Sequence, residues 1–184
     1  MKNRIKEIIK HEEEHERKII ASIKEEKVQF ISNIILGVND GLIELTGALV
    51  GFSFAFQKPS LVALTGFITG LAASLSMASS AFMQAQYEEG KSAIKAAVYT
   101  GFAYVLIVCF LILPFILLPK AIVALPAMFF IAVSVIAGVS YYTSVIFERK
   151  FLKQFLQMTL FSLGVSGISF AIGMLLRKTF NIEV

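Results

Sequence analysis

Five apolar runs dominate this chain, at about 29–56, 61–86, 95–118, 121–147 and 152–176. A helix needs about 20 predominantly apolar residues to cross the hydrocarbon layer of a bilayer, and a backbone in lipid must satisfy its own hydrogen bonds. The expected fold class is therefore all-α: a polytopic membrane protein with five transmembrane helices. "QKPS" (57–60) separates the first two runs, with Pro59 as stop signal and Ser60 as N-cap. "EEGKS" (88–92), the pair "LPK" (118–120) and "ALP" (124–126), and "ERK" (148–150) mark the remaining breaks.

The apolar excess is unevenly placed. Hydrophobic residues make up 57% of the 184, against roughly 45–50% in soluble domains, and nearly all the excess follows Val28. Two regions are expected: a cytosolic amphipathic helix over 1–28 and a transmembrane domain over 29–184. The net charge of +4 comes from bases beside apolar runs, which act as topology signals. Membrane lipid is therefore the expected partner, and nucleic acid is not. Cys109 is the one cysteine, so no intrachain disulfide forms. Residues 1–27 are too charged and too acidic for a secretory signal.

Placing the N-terminus in the cytosol leaves thirteen of the seventeen Lys and Arg inside. Only Lys58, Lys120, Arg177 and Lys178 remain outside, so the positive-inside rule favours N-in, C-out, which requires an odd number of spans. A prokaryotic plasma membrane is expected over an organelle.

"NDGLIELTG" (39–47) sets two acids, Asp40 and Glu44, one turn apart in the first span. At i and i+4 they share a face, and Asp40 lies about 17 Å along the helix, near mid-membrane. A carboxylate there costs several kcal/mol unless it is paired, protonated, or beside water or a cation. No Lys, Arg or His lies deep in any span, so the expected partner is a cation that comes and goes, or a proton. Gly37 and Gly41, and Gly47 and Gly51, stand four apart and suit close helix packing. In the second span, "SLSMASSAFMQAQ" (74–86) is rich in polar residues. Its Met77 falls at a depth close to that of Asp40 on an antiparallel neighbour. Carboxylate beside thioether suits a borderline ion such as Fe²⁺ better than Mg²⁺ or Ca²⁺. Glu88 and Glu89, in the loop after this span, are candidates for a cytosolic ion entry.

In residues 1–27, Ile5, Ile8, Ile9, Ile19, Ile20 and Ile23 fall on one helical stripe. Glu12 and Glu16 interrupt its centre and His15 its edge. Glu12 and His15 also have the i, i+3 spacing of carboxylate-bridged di-iron bundles, but such a site needs ligands from four helices. Either helices from several chains assemble, or this is an ion-capture arm, or it is a solvated helix.

"NDGLIELTGALVGFSFA" (39–55) resembles the first membrane helix of the vacuolar iron transporter family, and "SMASSAF" (76–82) its second-helix signature. "ILPFILLP" (112–119) and "AIGMLL" (171–176) fit its later helices. The resemblance implies a five-helix, N-in, C-out domain working as a homodimer. Acids and methionines of helices one and two would line a central pathway, and Fe²⁺ or Mn²⁺ would leave the cytosol by antiport with protons. By position, Asp40 matches the motif aspartate and Met77 the motif methionine. The chain departs from the family at Thr69 and Ala81, where relatives often carry acids, and at Glu44, where many have a small or polar residue. The glutamate-rich insertion of some relatives is absent from "YEEGKSAIK" (87–95).

The function expected is proton-coupled transport of divalent metal, with Asp40 and Met77 as ligands. Glu44 either joins them or carries the proton, and Glu12, His15 and Glu16 collect ions. No permanently bound cofactor is expected. The alternatives are a non-transporting membrane scaffold whose N-terminal helix recruits a partner, and a di-iron oxidase-like assembly. Nothing else suggests an enzyme: there is no nucleophile–base pair, phosphate loop or Cys/His cluster.

Overall fold

The computed structural model describes residues 2–56, 58–88 and 90–180, with side chains described from Val28 onward except those of Gln29, Leu176, Arg177 and Phe180. Five helices account for nearly all of them: α1 (Lys2–Ala55), α2 (Pro59–Gln86), α3 (Ala93–Leu117), α4 (Ala121–Ile146) and α5 (Phe151–Phe180). Phe30–Ala55 of α1 and most or all of each other helix are long and apolar enough to cross a membrane. The fold is an all-α polytopic membrane protein.

The first glycine of the chain is Gly37 and the first proline Pro59, so nothing breaks α1 before the loop at its end. The charged N-terminal segment and the first span share one uninterrupted helix. Pro59 opens α2 rather than ending what precedes it. Lys58 occupies the N-cap in extended conformation, and Ser60, expected to cap, lies inside the helix. Proline suits the first helical position because its missing N–H would have no partner there and its φ is already set. Helix α3 has the side-chain cap that α2 lacks: Ser92 Oγ accepts from the Lys95 N–H at 3.5 Å. Gly90 supplies the positive φ of 79° in the turn before it.

Helix α4 ends on an unusual residue. Phe147 N–H donates to Thr143 O at 2.9 Å, and Arg149 N–H to Ser144 O at 3.2 Å. These bonds close the last turn around Glu148, whose φ is 51°. Glycine normally occupies that left-handed position, because a Cβ there costs about 1–2 kcal/mol. Glu148→Gly is expected to raise stability by about 1 kcal/mol, read as a higher denaturation midpoint in detergent.

The interior is mainly apolar and draws on all five helices, α5 through Met158. Leu42, Leu45 and Leu49 of α1 meet Val62 of α2, Tyr104, Leu111 and Phe115 of α3, and Met128 and Ile136 of α4, all buried. The outside is equally apolar, with Ile68, Ile116, Phe130 and Leu160 exposed, as a lipid-facing surface requires. Helix α1 is held on two sides. A Cβ at Gly37 would stand 2.2 Å from the Thr100 carbonyl oxygen of α3, and one at Gly41 would stand 3.3 Å from Ile107. Higher up, a Cβ at Gly47 would meet Val165 of α5 at 2.6 Å, and one at Gly51 would meet the Ser169 carbonyl oxygen at 3.3 Å. A Cβ at Gly173 of α5 would in turn stand 2.8 Å from the Gly51 carbonyl oxygen. Thr100 Oγ1 also donates to the Asn33 carbonyl at 3.2 Å, tying α3 to α1.

Candidate ion site in the membrane

Ser32, Leu36, Asp40 and Glu44 follow one another at four-residue intervals, so they form a single stripe along α1. Ser32, Leu36 and Glu44 are exposed and Asp40 is half-buried. The other helices of the chain thus leave uncovered the strip that carries both acids. In lipid that surface is costly for two carboxylates.

The two acids differ in their surroundings. Tyr104 of α3 is fully buried, and its phenol O–H donates to Glu44 Oε2 at 2.8 Å. Asp40 has no hydrogen-bond partner among the described residues. Its sequence neighbour Asn39 has a buried Oδ1 that is also without a donor among the described residues. Oxygen atoms left without donors suit a cation better than a neutral ligand. Two carboxylates do not make a complete shell, however. No group of three or more His, Cys, Asp or Glu able to hold a metal occurs among the described residues.

Met77 is half-buried against the apolar core, and Thr69 is half-buried on the same helix. Ser76, Ser79, Ser80, Met83 and Gln84 of α2 are exposed. Several hydroxyls of α2 are satisfied within the helix: Ser74 Oγ donates to Leu71 O at 2.7 Å and Ser79 Oγ to Leu75 O at 2.9 Å. In the turn beyond α2, Glu88 pairs with Lys91 and accepts from Gln84 Nε2 at 3.3 Å. The Lys91 hydrogen bond holds the Glu88 carboxyl below its ordinary range. An arriving ion would have to displace Lys91. Glu89, and the side chains of Glu12, His15 and Glu16, lie outside the described residues.

Tyr104 is the site residue that the sequence alone did not bring forward. The cost of a carboxylate in lipid points first to cationic partners, and a phenol is a neutral donor. The signal was present: on a helix running parallel to α1, Tyr104 lies about 17 Å from the N-terminal end of α3, at nearly the depth of the acids.

A search of curated proteins gives no match to the chain. The model of the VIT family matches residues 31–90, which hold the membrane part of α1, all of α2 and the start of the turn that follows. The stretch carrying Asp40, Glu44 and Met77 therefore has the signature of the vacuolar iron transporter family, a family of membrane metal-ion transporters.

Proposed function

We propose that this chain is a proton-coupled transporter that moves Fe²⁺, and Mn²⁺ beside it, out of the cytosol. The observation that carries the reading is the uncovered stripe of α1. Two acids stand in a membrane-spanning helix, one half-buried with no hydrogen bond among the described residues and one exposed. Lipid cannot solvate them, and no cation of the described span residues neutralises them. A second copy of the chain, packed stripe to stripe, would cover the strip and double the carboxylates, giving a homodimer with the ion path between its subunits. Asp40 and Met77 would bind the cargo and Glu44 would bind it too or carry the exchanged proton. The cytosolic end would be the N-terminal one, as the distribution of Lys and Arg supports, with a prokaryotic plasma membrane as the setting. Glu12, His15, Glu16, Glu88 and Glu89 would gather ions on that side.

Purified protein in liposomes tests this. A pH difference of one unit supplies about 1.4 kcal/mol per proton, so coupling to one proton raises the attainable cargo ratio about tenfold. Fe²⁺ or Mn²⁺ uptake is expected to follow the imposed proton gradient and to stop when an ionophore collapses it. Uptake indifferent to the gradient would remove the coupling. No uptake of either ion would remove the transporter.

The Tyr104–Glu44 bond, which ties α3 to α1, also fits a non-transporting scaffold held together by polar contacts. That alternative requires Asp40→Asn to weaken subunit association while leaving metal binding unaltered.

A further inference from the structure

We propose that Tyr104 is a positioning residue that sets the cation preference of Glu44, a role that rests on the transport reading above. The phenol O–H donates to Oε2 at 2.8 Å. That bond engages one carboxylate oxygen and leaves Oε1 as the freer donor. Glu44 then meets a cation through one oxygen rather than two.

The arrangement is built rather than incidental. Tyr104 is fully buried, so the ring cannot swing away from the carboxylate. A Cβ at Gly41 would lie 3.6 Å from Tyr104 Cδ2. The ring therefore packs within van der Waals distance of the α1 surface at Gly41. Three residues on, Glu44 projects from the same side of α1 and receives the hydroxyl. Phenol and carboxylate thus link α3 to α1 beside Gly41.

The chemistry separates ions by size and appetite for oxygen. Ca²⁺ takes 6–8 oxygen ligands and readily chelates a carboxylate through both oxygens, whereas smaller divalent ions accept fewer ligands at shorter range. In a site with few acids, one-oxygen binding by Glu44 removes a ligand that Ca²⁺ needs more than Mn²⁺ or Fe²⁺ does. Tyr104 would thereby disfavour Ca²⁺ without touching the cargo.

The test is Mn²⁺ binding to the purified full-length chain, followed by its electron-spin resonance signal, with Ca²⁺ as competitor. Tyr104→Phe keeps the ring and removes the hydroxyl. It is expected to make Ca²⁺ about fivefold more effective against Mn²⁺, the worth of roughly one hydrogen bond. The same substitution in a Glu44→Gln background should leave the competition unchanged, since the carboxylate it acts on is gone. Glu44→Asp, which draws the carboxylate back from the phenol while leaving Tyr104 in place, should shift the preference in the same direction and serves if Tyr104→Phe does not fold. A native-like Mn²⁺ to Ca²⁺ preference in the folded variants would overturn the inference and leave the transporter standing. A native chain that binds no divalent ion would overturn both.

Discussion

Gly37→Ala is expected to destabilise the protein by about 3 kcal/mol, the upper range for inserting one methyl group into a packed contact. The new Cβ would lie 2.2 Å from the Thr100 carbonyl oxygen. That atom belongs to the backbone of α3, so no rotamer change relieves the overlap and the two helices must separate. Separation stretches the bond from Thr100 Oγ1 to the Asn33 carbonyl, 3.2 Å in the native chain, and loosens the seat of Tyr104 one turn further along α3. Gly138→Ala is the control. Nothing lies within 4 Å of a Cβ there, and in mid-helix the exchange should be neutral or stabilising by up to about 1 kcal/mol. Denaturation midpoints in one detergent, read for both variants, check the pair. Equal midpoints would mean that α1 and α3 do not meet as closely as described.

Asp40→Asn should have the largest functional effect. The exchange keeps size and shape and removes only the charge, so helix packing should survive it. Groups that merely orient a metal ligand change affinity by about 10–100-fold when lost, so removing a direct anionic ligand should reduce Fe²⁺ and Mn²⁺ transport by at least about a hundredfold. Met77→Ala should cost less, about tenfold, and weigh more heavily on Fe²⁺ than on Mn²⁺, since a thioether is the softer donor. Asp40→Asn with undiminished uptake would sever the stripe from the function. A folded, monodisperse variant with no uptake would place the carboxylate on the ion's route.

What the sequence made legible follows from which requirements are local. Crossing a bilayer demands apolar length, and that is written directly in the chain. All five spans could be placed, with α3 starting at Ala93 against an expected 95 and α4 at Ala121 as expected. The start of α2 was harder, because a proline after an apolar run can close one helix or open the next. Asp40 and Glu44 stood out because charge is rare in lipid. Helix neighbours were not legible. The four glycines of α1 have the same spacing, yet Gly37 and Gly41 lie against α3 while Gly47 and Gly51 lie against α5. Nothing in a four-residue repeat names the helix that will fill the notch. The partner of Glu44 was hidden for a related reason: a tyrosine in an apolar run reads as bulk until the structure gives its hydroxyl an address.

The glycine contacts also constrain how the molecule can move. Helix α1 is clasped by α3 below and by α5 above, in each case backbone to backbone. Twisting α1 about its own axis would drive Cα against carbonyl at both ends. Turning α1 by itself is therefore opposed at both ends, whereas moving α1 together with α3 and α5 leaves these contacts intact.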